Sequence, residues 1–401
     1  MASPYSRVLI LLGILPHVAL SQSSWTLVSE SWRGNVFGVD IDASTGMVAV
    51  AAGVQEKGGS GVWLAQLPNL NNSSWSFSTV DFMFITSAVF TPVASRIVAM
   101  GVDTSRSRPT AWLSDDQGES FFPSDSTNAA LSGQDLKLSS WSADGQNLLA
   151  TVEFNAWSNG TACSTDASPQ CSGVAITQNG GLNWTFALWG GTDAPGIDAR
   201  YSSSPSEGTI FVAGGSWPAS AQSAATARRQ RPVEDGEDDF YSQGFRGVIT
   251  KSTDGGETFT TIINQTGFDY GYFNDIGCAG STCYAISECT DTECTKYGFH
   301  VWKTIDSGES WSEAYFGYEE SALVMRVVSE SEVWLGGGSV GLSATSGFVF
   351  HTTDGGATWD RETVKGGYVF GLDVHVSSGL VVASVENILT SNAQIMLRVL
   401  S

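Results

Sequence analysis

The stretch STDGGETF, residues 252–259, returns as TIDSGESW at 304–311 and as TTDGGATW at 352–359. Each copy sets a hydroxyl residue first, an Asp two later, a Gly two after that and an aromatic three beyond. The clear copies use Ser252, Asp254, Gly256 and Phe259, then Thr304, Asp306, Gly308 and Trp311, then Thr352, Asp354, Gly356 and Trp359. Two looser copies come earlier: SDDQGESF, with Ser114, Asp116, Gly118 and Phe121, and TQNGGLNW, with Thr177, Asn179, Gly181 and Trp184. Two remnants flank them. VWLAQLPNLNNSSW keeps Trp75, and ILTSNAQIML keeps Thr390 and Asn392. Successive copies lie roughly 40–75 residues apart, a spacing that signals a repeat array.

Apolar runs precede each box (TAWL, GVAI, GVIT, FHVW, GFVF), and others follow (FTTII, WSEAYF, WDRETV). The box is therefore a β-hairpin turn. Its Asp or Asn accepts hydrogen bonds from turn N–H groups and its Gly supplies a positive φ. The Ser/Thr hydroxyl ties the strand end to the turn. The same Asp recurs because the same turn recurs, so the boxes are structural. Two further strands precede each hairpin, as ALVMRVVS and EVWLGGG precede GFVFHTTDGG. Four short strands per unit with Gly-rich turns, and no helical pattern, give an all-β array. One such unit cannot bury both faces alone, whereas a radial set can, as a β-propeller.

These residues resemble the Asp-box, or bacterial neuraminidase repeat, Ser/Thr-x-Asp-x-Gly-x-x-Trp. The resemblance covers nearly the whole chain after its leader. It implies a single seven-bladed β-propeller of four-stranded antiparallel blades, with the boxes between third and fourth strands, remote from the ligand face. The spacing is most similar to photosystem II assembly factors, with sortilin-type ectodomains and Asp-box xyloglucanases more distant. Units are expected to begin near residues 31, 81, 134, 196, 271, 321 and 367. SSWTLVSE reads as an outer strand without its blade, able to complete the last one and close the ring.

Residues 1–21 read as a signal peptide: a basic start, an apolar run VLILLGILPHVAL and small residues up to Ser21. The run is shorter than the about 20 residues a membrane span needs, so no span is expected. Residues 22–401 form the propeller, interrupted by a flexible polar insertion at 215–246. RRQR ending at Arg231 fits a minimal processing site, although Pro232 follows it. The chain is expected to be secreted or held in a secretory lumen. The thylakoid lumen fits less well, because no transit peptide follows the leader.

The six cysteines fall in close pairs, Cys163 with Cys171, Cys278 with Cys283 and Cys289 with Cys294. In an exported chain such pairs read as disulfides. Sequons stand at Asn71, Asn72, Asn159, Asn183 and Asn264. No Cys/His grouping suits a metal, and no cofactor motif is present. Net charge is −22, with 41 acidic against 19 basic residues. Nucleic acid is thereby excluded as a partner, and a cationic one is favoured.

Catalytic patterns fit poorly, and no catalytic residue is assigned. GGSVG at 337–341 matches Gly-x-Ser-x-Gly around Ser339, but a strand follows where a nucleophile elbow needs a helix. Arg33 in SWRGNVFG departs from the start of a sialidase. A xyloglucanase sets its carboxylates in a cleft between two propellers, and this chain has room for one. A glycoside hydrolase stays open as the alternative. The expected function is a monomeric scaffold for a protein or glycan, bound at the channel mouth opposite the boxes. Loops entering the innermost strands gather there. They bring Trp32 and Arg33, Asp81 and Phe82, Asp135, Trp189 and Asp193, then Asp269, Tyr270 and Tyr272, then Tyr318, Glu319 and Glu320, then Lys365 and Tyr368. Aromatics among carboxylates suit a sugar face or a cationic segment. Packing between blades is the bland role for the same aromatics.

Overall fold

A run such as LVVASVEN has apolar residues on both faces, and so does MVAVAAGV. Both faces must then be covered by neighbouring sheets. Runs such as DRETVK alternate and leave one face polar. The computed structural model arranges these two kinds of strand in sheets that run from an inner to an outer edge. It describes residues 25–68, 70–71, 73–80, 83–91, 96–103, 108–124, 136–140, 147–152, 173–188, 198–206, 208–216, 246–267, 271–289, 294–339 and 346–400.

After β1 (Trp25–Leu27), four strands pair in order: β2 (Trp32–Ile41), β3 (Met47–Val54), β4 (Gly59–Gln66) and β5 (Ser76–Val80). The next sheet holds β6 (Met83–Phe90), β7 (Ile97–Asp103), β8 (Arg108–Ser114) and a two-residue β9 (Phe122–Pro123). Then come β10 (Leu136–Ser140), β11 (Leu148–Val152), β12 (Gly173–Thr177) and β13 (Thr185–Leu188). The following sheet is β14 (Asp198–Ser206), β15 (Thr209–Ser216), β16 (Arg246–Ser252) and β17 (Thr260–Thr266). Next are β18 (Tyr272–Ala279), β19 (Thr282–Cys289), β20 (Gly298–Thr304) and β21 (Ser312–Tyr318). Then follow β22 (Glu320–Val327), β23 (Val333–Ser339), β24 (Ser346–Thr352) and β25 (Asp360–Lys365). The last set is β26 (Tyr368–His375), β27 (Leu380–Asn387) and β28 (Asn392–Val399), and β1 pairs antiparallel with β28. β28 also touches β2 through two residue pairs, Trp32 with Ala393 and Arg33 with Asn392, which joins the first and last sets. The described residues contain no α-helix, only 3-10 turns at Gln55–Lys57 and Val376–Ser378.

The first strands pack on one another in a closed cycle: β2 on β6, then β10, β14, β18, β22 and β26, and β26 back on β2. That closure makes the fold a β-propeller. The core is divided among the joints between sheets. Ala49, Ala51, Val62, Leu64 and Val80 pack against Ile85, Ile97 and Ala99 of the next sheet. Phe211, Ala213 and Ile249 meet Phe273, Ile276 and Ala285. Trp334 and Val349 meet Val369, Leu372 and Val381, and Trp25 of β1 joins this cluster. β1 therefore supplies the outer strand that the last set lacks, as SSWTLVSE implied. Gly215 and Ser216 belong to β15 and Arg246 to β16, inside the bounds expected for the insertion. Cys278–Cys283 bridges the β18–β19 hairpin, and Cys289–Cys294 the connection from β19 to β20. Cys163 and Cys171 lie outside the described residues, as do residues 1–24.

Candidate functional site

The two ends of the ring differ in construction. Three box turns each share their end with the first hairpin of the same sheet. Gly255 N–H donates to the Gly208 carbonyl, Ser307 N–H to Ser281 and Gly355 N–H to Ser331, each at 2.9 Å. At the other end the chain enters the first strands. There Gly34 N–H donates to Ser391 at 2.8 Å and Glu319 N–H to Tyr297 at 2.9 Å.

Within a box the bonds form one closed pattern. The Ser252 hydroxyl donates to Asp254 Oδ1 at 2.7 Å and accepts from Gly256 N–H at 2.9 Å. Asp254 Oδ1 also accepts from Thr258 N–H at 3.0 Å, and Oδ2 from the Thr258 hydroxyl at 2.5 Å. Asp116 repeats this with Ser114 and Ser120, Asp306 with Thr304 and Ser310, and Asp354 with Thr352 and Thr358. Asn179 takes the same place between Thr177 and the N–H of Asn183. The Ser/Thr at the seventh position was missed in the sequence, although four of the five copies carry one. Bonds from its hydroxyl and N–H hold the carboxyls of Asp116, Asp254, Asp306 and Asp354 down at about 2. Gly118, Gly181, Gly256, Gly308 and Gly356 have φ of +87, +92, +90, +86 and +89°. A Cβ on Gly256 would collide with Ile176 of the preceding sheet, and one on Gly118 with Leu64. The box Gly is thus needed for its φ and, at every copy but Gly356, for the close approach of two sheets.

Cations knit this end together across the joints. Lys251 Nζ donates to the Ser307 carbonyl of the next sheet's box at 2.7 Å, and Lys303 Nζ to Gly355 at 2.7 Å. Arg96 Nη1 donates to Gly180 at 3.1 Å. The Lys directly before Ser252 and Thr304 was the signal for two of these bonds.

At the mouth the expected residues divide. Arg33, Tyr318 and Glu319 are exposed, Tyr318 at 65 %. The Tyr318 hydroxyl bonds Glu319, which pushes its phenol up. Glu320 is half-buried and pairs with Arg361 at 2.8 Å. Lys365 is exposed at the end of β25. Trp32, Tyr272 and Tyr368, by contrast, are buried. Tyr272 packs on the Cys289–Cys294 bridge, and Trp32 lies 5.4 Å from the Trp63 ring. Tyr368 donates to the Ser339 carbonyl, and burial pushes its phenol up to about 12. These three rings pack between sheets and are not on the open surface of the mouth. Ser339 closes β23, and the next described element is the strand β24. Asp81, Phe82, Asp135, Trp189, Asp193, Asp269 and Tyr270 lie outside the described residues. So do the sequons Asn72 and Asn159. Asn71, Asn183 and Asn264 are exposed.

The inner face of the ring holds charges that the sequence reading passed over. Asp373 Oδ2 accepts the Ile41 N–H at 2.8 Å, Asp40 Oδ2 the Phe90 N–H at 2.6 Å and Asp275 Oδ2 the Met325 N–H at 2.7 Å. Each bond runs from one first strand to the next. The joint from β22 to β26 is crossed instead by Arg326 Nε, 2.8 Å from Asp373 Oδ1. The signal was VFGVDI at 36–41, repeated as VFGLDV at 369–374.

No family model matches the chain, and no curated protein matches it either. Solved structures do. YCF48 bound to a D1 peptide superposes with a TM-score of 0.55 at 12 % identity, over 96 % of this chain and 97 % of that one. A chain from a study of two prolyl endopeptidases gives 0.53 at 11 % identity, over 92 % of this chain but 50 % of that one. A GH74 enzyme from Niastella koreensis gives 0.37 at 11 % identity, over 88 % of this chain and 62 % of that one. For the first two, at such identities, the likeness is one of fold alone, in keeping with the β-propeller built by the closed cycle of first strands.

Proposed function

We propose that the chain is a seven-bladed Asp-box propeller of the secretory pathway that catalyses nothing and holds a cationic protein segment at the mouth opposite the boxes. Blade count follows if β2–β5 and β26–β28 with β1 are two blades joined by the short β2–β28 contact. One observation carries the functional reading. Each box carboxylate is committed to its own turn, while Arg33, Tyr318 and Glu319 stand exposed at the other end. A net charge of −22 selects positive partners. A protein of the same fold, matched over nearly its whole length, holds a peptide, which is support by analogy of fold.

Immobilised peptides of graded charge, set beside a glycan array, test this. Cationic peptides should be retained at low salt and released as salt rises. Tyr318→Ala with Glu319→Gln should abolish retention without lowering the melting temperature. Retention of neutral glycans alone, indifferent to salt, would replace the peptide by a sugar.

A further inference from the structure

The charges on the inner face sit where the ring is stitched. Asp275, Arg326, Asp373 and Asp40 bridge four consecutive joints of first strands, β18 to β22, β22 to β26, β26 to β2 and β2 to β6. Three carboxylates face one guanidinium. The Arg326 side chain keeps 49 % of its surface accessible although protein encloses it, so that surface opens on the space inside the ring. Asp373 is 2 % exposed and Asp40 half-buried. Asp373 already holds Arg326, the Ile41 N–H and the Val374 N–H. Asp40 has the Phe90 N–H and no cation at bonding distance among the described residues.

We propose that Asp40 and Asp373 form an acid-operated lock on the ring, eased when one of the two carboxyls carries a proton and straining the β26–β2–β6 joints by charge repulsion when both are ionised. Two enclosed carboxylates close enough to repel cannot both ionise cheaply when a single Arg serves them. Burial, then the Asp373 charge, pushes Asp40 up to about 7. Burial also pushes Asp373 up, against Arg326. The groups facing the pair are Arg326 on β22, which lowers both, Asp42 after β2, which raises Asp40, and His375 on β26, which lowers Asp373. β3 and β6 carry no titratable residue.

The sign follows from where the protons are. Between the unfolded value of 3.8 and about 7 the folded chain holds a proton that the unfolded chain has released. Stability therefore grows as pH falls through about 7 and levels off near 4. Two other sets act elsewhere or oppositely. The box carboxylates matter only below about pH 4. His300 and His351, lowered mainly by burial, favour the fold at higher pH. A comparison of two proteins that share both sets removes them.

Urea unfolding of the wild type and of Asp40→Asn between pH 5 and 8 makes that comparison, since Asn mimics the neutral carboxyl. The ratio of the wild-type to the variant unfolding constant should climb with pH, by up to about tenfold per unit between about pH 5 and 6.5, and flatten above about 7. A ratio that stays constant overturns the lock. Should Asp40→Asn fail to fold, the carboxyl carbon resonances of the unaltered protein decide. One aspartate titrating near pH 7 supports the lock, and all aspartates titrating below pH 5 refute it.

Discussion

At Asp254 both carboxylate oxygens are taken by the turn that contains them, through the Ser252 hydroxyl and the N–H and hydroxyl of Thr258. Such a group is a brace, and its pH dependence should show it. Folded values of about 2 against 3.8 mean that the stabilisation is present above about pH 4 and is lost as pH falls towards 2. Urea unfolding at pH 4 and at pH 2.5 should show a steep acid loss in the wild type, and a shallower one in Asp254→Ala with Asp306→Ala. Gly256 makes the second residue-scale case. Ala there meets both a φ of +90° and Ile176 of the neighbouring sheet. The cost should be about 1–3 kcal/mol by equilibrium unfolding. The sequence showed the Ser, Asp and Gly of the box because they recur. It hid the purpose of Asp40, whose partner is a backbone N–H of another strand, at Phe90.

Among elements, β1 has the largest effect for its length. It is a three-residue strand, yet Trp25 is buried between the last two sheets and its indole N–H reaches Glu362 at 3.1 Å. Trp25→Ala should cost about 3–5 kcal/mol. Hydrogen exchange should locate the loosening in β28 and β25, the strands that β1 touches. The staple from Lys303 to Gly355 is smaller in scale. Lys303→Met should cost about 1 kcal/mol in unfolding free energy and leave the β20–β21 hairpin protected from exchange. Strand order within each set was legible from apolar runs and turns. First strands begin at 32, 83, 136, 198, 272, 320 and 368, within two residues of the expected unit starts. The staples were not, because a Lys before a box looks like an ordinary surface residue until the next sheet is placed beside it.

For the whole molecule, the closed cycle of first strands explains why the chain is rich in paired small and large apolar residues. Each sheet lends one face to each neighbour, so Ala49 and Ala51 of one joint have the same status as Trp334 of another. Such a ring has two ends and an enclosed space, and the three carry different chemistry: committed carboxylates at the box end, exposed Arg33, Tyr318 and Glu319 at the mouth, and the Asp40–Asp373–Arg326 set within. The mouth was the least legible part. Sequence order offered Trp32, Tyr272 and Tyr368 as mouth residues because they start first strands, but burial turns their rings into the joints. The central claim is that ligands meet the mouth and not the boxes. Hydrogen exchange of the protein with and without a saturating cationic peptide tests it most directly. New protection is expected in residues 28–34, 318–320 and 388–391, with the turns at 254–258, 306–310 and 354–358 unchanged. Protection confined to those turns would contradict it.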